Sequence, residues 1–457
     1  MSTPAATYAP EMQLLTLKPD FEAFADPANP RGFESPEQVA IFFHEWIHYL
    51  HNVSTVHGLT TFGTLTILWS NFRETIGADG WSHGATNVPE KDAQDIERQY
   101  GLLKTLRSRR STTLPQKVAP HLVTLDQVGA VPAVESCPDE LTVLECNALV
   151  APATEDGVAQ AHKVYITTNE ILECAAYMLE EKAAVAMKTL LPLPDVNPYL
   201  LVPKARDLLA PGLSDECLLM CALASVQCAD PPRALLFLLK AGANAQNEGD
   251  DPREAVQAAG ERLFEAYQPS AMASISMIDD MFPVHEPMAR AVLSTLRRIE
   301  RNLSYRKKDL FFELSIVESL RQGPVTMLDA IERYGAPSIL QQRKGDPEQM
   351  GLDLIYAFDL PGEPKGEIAA GWNMMHAAFK FLNAHLRTGS LRSTDLVVGA
   401  TCPFYTSCQA YYRRTAAQNC NSTPWLSVGA EEGLCEYALA VVATRPLEVS
   451  KSLNKST

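Results

Sequence analysis

Residues 35–58 read SPEQVAIFFHEWIHYLHNVSTVHG, and the first of them carry the start signals of a helix. Ser35 is a preferred N-cap, Pro36 suits the first helical position, and Gln38 completes a capping box with Ser35. The residues on both sides of the histidines are apolar, which is typical of a helix that packs into the core. The sequence therefore predicts a buried helix that carries histidines.

Two of these histidines have the spacing of metal ligands. His44 and His48 lie four residues apart, so their imidazoles share one face of the helix and can bind one Zn²⁺ ion. Glu45 lies about 100° around the helix, from where it can take a proton from a metal-bound water without being a ligand. The alternative is a helix whose histidines are satisfied by hydrogen bonds in the core.

The third ligand has to come from elsewhere in the chain. His51 lies about 10 Å further along the helix than His44, and one straight helix does not surround an ion with three ligands. We expect His51 to contact a metal ligand without binding the metal, to contact the substrate, or to lie at the surface. His57 is expected in the turn before the next helix. A carboxylate from a later segment is the better candidate.

Two later segments offer such a carboxylate. In TTNEILECAAYMLEE, Glu170 is explained by a capping box with Thr167, whereas Glu173 lies among small and apolar neighbours and needs a cation. In GAEEGLCEYALAVV the candidate is Glu432. We favour Glu173, since small residues beside it would let its helix approach the histidine helix.

These motifs resemble known zinc peptidases. HEWIH has the HExxH pattern of the zincin metallopeptidases, and ECAAY is similar to the EGxAY segments that carry the glutamate ligand in gluzincins. EGLCEY resembles the EGxxEY segment of other gluzincins. Cys174 replaces the usual glycine, and about 125 residues separate the two ligand segments, which is long. A looser likeness is to bacterial intracellular HExxH proteases that take part in phage exclusion.

The resemblance covers only the two ligand helices, but it implies a mechanism. It implies that His44, His48 and Glu173 hold Zn²⁺, that the fourth position stays open to water, and that Glu45 is the general base. The substrate would be a protein or peptide. A regulatory protein partner is also expected, because an unrestrained protease would harm the cell.

The rest of the chain predicts a mainly α fold with a small β-sheet, of the α+β class, built on a zincin-like core. Residues 1–34 are rich in proline and predicted to be irregular, and 58–77 predict a second, buried helix. Strands are predicted in 119–168, inserted into a catalytic region that spans 1–213. A helical region over 214–390 and a cysteine-rich segment over 391–457 follow.

Composition limits the partners of the protein. The formal net charge is −16 and the isoelectric point is near 5.1, which argues against binding to nucleic acid or to an anionic membrane. The N-terminus shows neither the basic nor the apolar region of a secretory signal, and no run is long enough to span a membrane. We therefore expect a cytoplasmic protein whose ten cysteines are mostly reduced.

The C-terminal segment holds further candidates. A structural zinc site could use Cys402, Cys408, Cys420 and Cys435, but their spacing contains no CxxC pair, so reduced core thiols are the preferred interpretation. Residues that could stabilise an oxyanion are Tyr411, Tyr412, Arg413 and Arg414. His376 and His385 are predicted to be structural. A solvated helix face is predicted for Arg297, Arg298, Arg301, Arg306, Lys307 and Lys308.

The function that these patterns favour is a zinc-dependent intracellular endopeptidase of narrow specificity. Two alternatives stay open. One is a binding or scaffold protein that keeps a zincin-like helix for structural reasons. The other is a metal-dependent hydrolase of a non-peptide substrate, because HExxH specifies a metal and a base but not the bond that is attacked.

Overall fold

Helices make up most of the described chain, and small sheets complete it. The computed structural model describes residues 5–21, 35–107, 110–115, 117–133, 141–152, 158–282, 285–323, 325–360, 362, 364–430 and 433–446. The helices are α1 (Pro36–Ser54), α2 (Val56–Arg73), α3 (Glu90–Arg107), α4 (Thr168–Ala186), α5 (Leu201–Leu209), α6 (Asp215–Ser225), α7 (Pro231–Glu248), α8 (Pro252–Met281), α9 (Met288–Arg306), α10 (Phe312–Ser319), α11 (Thr326–Tyr334), α12 (Lys365–Leu386), α13 (Tyr411–Thr415), α14 (Ala417–Ser422) and α15 (Glu436–Thr444). The strands are β1 (Ala6–Ala9), β2 (Leu14–Leu17), β3 (Val123–Pro132), β4 (Thr142–Val150), β5 (Gln160–Ile166), β6 (Ser338–Gln341) and β7 (Leu354–Tyr356). The predicted α+β class is confirmed.

Helix α1 begins where the sequence predicts. The Ser35 hydroxyl accepts a hydrogen bond from the backbone N–H of Gln38 at 3.4 Å, and Pro36 occupies the first turn. Helices α2, α4 and α9 pack around α1. Trp46 is fully buried, and its indole N–H donates to the carbonyl of Gly335 at 2.9 Å. The helix is thus fixed inside the core along most of its length.

The predicted strands form an antiparallel sheet in the order β3-β4-β5. Helix α3 lies between the second helix and this sheet. Strand β5 ends one residue before Thr167, which caps α4 in a reciprocal capping box with Glu170. The backbone N–H of Thr167 donates to the Glu170 carboxylate at 2.8 Å. The sheet therefore leads directly into α4, the helix that carries Glu173.

A second sheet, in the order β1-β2-β6-β7, was not predicted. Strand β2 pairs in parallel with β6, with Leu14 opposite Ser338. The prediction of irregular structure for residues 1–34 was therefore wrong at β1 and β2, and the region predicted as helical over 214–390 also contains β6 and β7. Each of the four strands has only three or four residues, and the parallel pair joins segments more than 300 residues apart, so no local pattern reveals it. The division of the chain into three regions remains a prediction.

Arg306, at the end of α9, is buried instead of solvated as predicted. Its guanidinium lies 2.5 Å from the Glu313 carboxylate of α10 and donates to the Ser54 carbonyl at 2.8 Å. The Ser54 carbonyl belongs to the last turn of α1, so Arg306 ties α1, α9 and α10 together. The prediction failed because a run of basic residues does not show which of them turns inward.

Among the described residues, no helix is both long and apolar enough to cross a membrane.

Candidate metal centre

Helices α1 and α4 pack side by side, and small residues of α4 allow the close approach. Cys174, Ala175 and Ala176 are all buried. Glu173 directly precedes them, and only 14% of its side chain is exposed, since it points toward the histidines of α1. The sequence of α4 thus places one carboxylate against the face of α1 that carries the HExxH motif.

The carboxylate and the two imidazoles form a tight triangle. His44 Nε2 lies 3.3 Å from His48 Nε2. Glu173 Oε2 lies 3.4 Å from His44 Nε2 and 3.6 Å from His48 Nε2. Of all His, Cys, Asp and Glu side chains in the described ranges, these form the one group of three or more whose ligand atoms all lie within 4.8 Å of one another.

The triangle fits a zinc ion in donor type and in spacing. Tetrahedral ligands at about 2.0–2.1 Å from zinc lie about 3.3–3.4 Å from one another by geometry. The three observed separations of 3.3, 3.4 and 3.6 Å are close to that value. Two histidines and one carboxylate are also a known donor set of catalytic zinc sites, which leave one position free.

Glu180 contacts the remaining ring nitrogen of His44. Its Oε2 lies 2.8 Å from His44 Nδ1, and it follows Glu173 by seven residues, or two turns of α4. A carboxylate in this position fixes the tautomer and the orientation of a ligating imidazole. No role was predicted for Glu180, although its spacing of seven residues from Glu173 places both carboxylates on the same face of α4.

The same two carboxylates control the charge of His44. Burial disfavours its protonated form, but hydrogen bonds to Glu173 and Glu180 outweigh burial and raise the pKa of His44 to about 10. The pKa of Glu173 is held well below its usual value: burial raises it, while His48 and His44 lower it more strongly. The centre therefore attracts positive charge, as a cation site must.

Glu45 lies beside the triangle and is partly buried. Burial is the largest influence on its carboxyl and raises its pKa, while the imidazoles of His44 and His48 oppose that rise. The Glu45 carboxylate in turn raises the pKa of His44. Glu45 thus lies within electrostatic reach of the triangle and is not one of its members. This is the relation that a general base has to a metal site.

Comparisons with protein-family models, with curated proteins and with solved structures found no match. Glu432, the alternative third ligand, lies outside the described residues. The carboxylate that the structure places at the two histidines belongs to Glu173.

Two tyrosines stand beside the centre. The Tyr199 ring lies 5.9 Å from the His44 ring, in an edge-to-face arrangement, and 5.8 Å from the ring of Tyr177. Tyr177 is on α4, four residues after Glu173, and Tyr199 belongs to the connection between α4 and α5. Neither tyrosine was predicted to lie at the centre, because the ring contacts of Tyr199 depend on how the connection folds back.

His51 and His57 do not belong to the triangle. His51 Nε2 lies 3.5 Å from the buried carboxylate of Glu313, so the residue faces the ion pair behind α1 and not the surface. His57 is buried within α2, whereas it was expected in a turn. Burial, with Arg107 and His51 nearby, lowers the pKa of His57 to about 4. Both histidines are core residues, which removes them as ligands.

The cysteines that the structure describes are all free. Four of them line one small pocket, namely Cys402, Cys408, Cys420 and Cys435. Their sulphur atoms are not among the ligand groups that meet the 4.8 Å spacing. Burial raises the pKa of the Cys420 thiol to about 11, which disfavours the thiolate that a metal needs. Reduced thiols therefore remain the preferred prediction for these four residues.

The candidates for an oxyanion partner have contacts far along the chain from α1 and α4. Arg413 is buried, donates to the carbonyl of Tyr405 at 3.1 Å and lies over the Tyr405 ring. Tyr412 accepts a hydrogen bond from Asn419 at 3.0 Å. Tyr411 and Arg414 are exposed on the same short helix, α13. The contacts of Arg413 and Tyr412 give these two residues a structural role within the C-terminal segment.

His376 and His385, on α12, are buried. The ring of His385 lies between the carbonyl of Phe381 at 2.8 Å and the hydroxyl of Thr394 at 3.0 Å. The ring of His376 packs edge-to-face on Phe404. Burial lowers the pKa of His385 to about 4, so the imidazole stays neutral in the core. Both positions are structural in character.

Proposed function

We propose that this protein is a zinc-dependent endopeptidase of zincin-like architecture. The observation that carries the proposal is the triangle of His44, His48 and Glu173, whose ligand atoms have the mutual spacing of tetrahedral zinc ligands. Zinc held there would supply an activated water and polarise the carbonyl of the scissile bond.

The side chains of the protein have separate roles in the proposed reaction. Glu45 takes the proton from the attacking water and later gives it to the leaving amine, as the same carboxylate can do both in turn. Glu180 holds the His44 imidazole in the orientation and tautomer that ligation needs. The partly buried position of Glu45 supports its role, because a raised pKa makes a carboxylate a better proton acceptor near neutral pH.

The proposed substrate is a protein or peptide, and the proposed location is the cytoplasm. In that compartment the activity would be confined by narrow specificity or by a regulatory partner. The acidic charge of the chain, −16 overall, supports a substrate other than nucleic acid.

The test compares the wild type with Glu45→Gln. Both proteins are analysed for metal, and both are incubated with a peptide library made by digesting a whole proteome, with new termini identified by mass spectrometry. The wild type should hold about one zinc per chain and produce new termini at a restricted set of sites. Glu45→Gln should keep its zinc and cleave about 10²–10⁴-fold more slowly.

A scaffold protein is the rival candidate, and a specific observation favours it. Protonated His44, with carboxylates at 2.8 Å and 3.4 Å, would be satisfied as a buried ion pair and would need no metal. A purified protein that holds no zinc, and whose biological effect survives Glu45→Gln, would support that candidate. A non-peptide hydrolase would instead hold zinc, leave the peptide library intact and lose its effect on Glu45→Gln.

A further inference from the structure

The connection between α4 and α5 is fastened to α1 at both ends. Near its start, the Thr189 hydroxyl donates to the Glu37 carboxylate in the first turn of α1 at 2.9 Å. Near its end, the Tyr199 ring packs against His44 and Tyr177. The intervening residues 190–195, here called the leucine segment, have neither helix nor strand structure. The segment therefore runs beside the part of α1 that leads to the metal centre.

The leucine segment displays apolar side chains to solvent. Leu190 is 92% exposed and Leu193 is 88% exposed, which makes them the two most exposed leucines among the large hydrophobic residues of the described chain. Isolated exposed leucines are common, but these two belong to one short segment next to a candidate active site. Val185, at the end of α4 and five residues before Leu190, is also 69% exposed.

Prolines stiffen the segment and orient the leucines. Pro192 and Pro194 fix their own φ angles and favour extended backbone at the residue before each. Asp195 has φ −66° and ψ 150°, which is polyproline-II geometry. Continued through residues 190–194, that geometry would place side chains three apart on the same side, because three residues complete a turn. Leu190 and Leu193 have this separation, and a stiff segment loses little entropy when it binds.

The contacts of Thr189 with Glu37 and of Tyr199 with His44 set the distance between the segment and the centre. Glu37 precedes His44 by seven residues on α1, or about 10 Å along the helix axis. The connection from Thr189 to Tyr199 spans that interval, and the leucine segment lies within it. An extended peptide covers about 3.3 Å per residue, so about 10 Å corresponds to three residues of a bound chain. A peptide whose scissile bond lies at His44 and His48 would place its side chains three residues away beside the leucines.

We propose that Leu190 and Leu193 select substrates by binding an apolar side chain about three residues from the scissile bond. This proposal rests on the proposed peptidase function and assigns a substrate class to it: unfolded or extended segments that carry an aliphatic or aromatic residue at that distance. The occupant is the substrate itself because the connection that carries the segment continues to Tyr199, whose ring contacts the proposed ligand His44. A chain that enters the centre along α1 therefore passes the leucines.

Binding is tested without turnover. A display library of random twelve-residue peptides is selected against Glu45→Gln protein, against the same protein with Leu190→Ser and Leu193→Ser, and against a control with Leu396→Ser. Leu396 is 60% exposed and lies in a short 3₁₀ helix of the C-terminal half, so it makes the same leucine-to-serine change at one exposed site outside the leucine segment. Thermal unfolding of each variant checks that the surface changes leave the fold intact.

The Glu45→Gln protein and its Leu396→Ser control should enrich peptides with an aliphatic or aromatic residue at one fixed position. The double serine variant should bind the enriched peptides at least about tenfold more weakly. Equal binding by the double variant, or an equal loss in the control, overturns the proposal. So does enrichment of peptides without an apolar position, which would point to another occupant such as a regulatory protein.

Cleavage by the wild type separates this proposal from the function on which it rests. The peptidase function and the substrate class are both supported if the wild type cleaves sites with an apolar residue about three positions away and the double serine variant loses that preference. Cleavage without that preference overturns the substrate class and leaves the peptidase standing. Apolar peptides that bind at the leucines without any cleavage refute the peptidase function and, with it, the selection of substrates.

Discussion

Glu180 gives the sharpest test of how the centre is built, because its expected effect can be worked out from one contact. Its carboxylate lies 2.8 Å from His44 Nδ1, and only 13% of its side chain is exposed, so solvent screens the interaction weakly. A hydrogen bond to a charged group contributes about 1.5–3 kcal/mol, against about 1 kcal/mol for a neutral pair. Glu180→Ala should therefore weaken zinc binding about 10–100-fold. Glu180→Gln keeps an acceptor without the charge and should fall between Glu180→Ala and the wild type.

The assay is a competition for zinc between each variant and a chromophoric chelator of known affinity at neutral pH. Glu181→Ala is the matched control, since Glu181 is the next residue of α4 and is exposed. Its zinc affinity should stay within about twofold of the wild type. The reasoning fails if Glu180→Ala binds zinc as tightly as Glu181→Ala, or if Glu180→Gln is the weaker of the two Glu180 variants.

The remaining predictions concern the fold behind the centre. Glu313→Gln should lower the free energy of unfolding by about 3–5 kcal/mol in denaturant titrations, because it leaves the buried guanidinium without its counter-charge, whereas Glu318→Gln, in an exposed pair, should change it by less than about 1 kcal/mol. In the same assay, Gly58→Ala should lower the free energy of unfolding by about 1–3 kcal/mol, since the new Cβ would lie 2.3 Å from a backbone oxygen. Its control is Gly101→Ala, in open space on α3, which should raise the free energy of unfolding by about 0.5–1 kcal/mol. Equal effects of the two substitutions would refute the close packing at Gly58. The pKa of His385 is depressed to about 4, so the unfolded chain binds its proton first as pH falls below about 6.5. Unfolding free energies should thus show a loss of about 2 kcal/mol from this residue between pH 7 and pH 5, and an unchanged pH dependence in His385→Gln would contradict that.

The direction of the pH dependence follows from which state of the chain binds the proton. A histidine that is neutral when folded and protonated when unfolded stabilises the fold above its unfolded pKa, near 6.5, and loses that contribution as the pH approaches its folded pKa. The depressed pKa of Glu313, about 2, acts in the same direction but at lower pH. Burial raises the pKa of the Glu313 carboxyl, but Arg306 and His51 lower it by more. The ion pair should therefore persist through the range in which His385 titrates.

The sequence was most informative where a local pattern has one physical cause. The start of α1 follows from the capping chemistry of Ser35 and Pro36, and the strands of the first sheet follow from runs of β-branched residues between turns. Glu173 was singled out because a carboxylate among small, apolar neighbours has to meet a cation, and the structure places it 3.4 Å from His44.

The sequence was least informative where distant segments meet. The parallel pairing of β2 with β6 depends on the whole intervening chain, and the partners are too short to show a pattern of their own. Arg306 looked like one of several solvated cations until its contact with Glu313 was visible. Glu180 and Tyr199 act on His44 from positions that become meaningful only once the approach of α4 and its following connection is known.

The most direct test of the central claim is the anomalous scattering of a crystal of the purified protein, measured on both sides of the zinc absorption edge. The account predicts one peak about 2.0–2.1 Å from His44 Nε2, His48 Nε2 and Glu173 Oε2 together. A peak that excludes Glu173, a peak only at the C-terminal cysteines, or no zinc peak at all would contradict it.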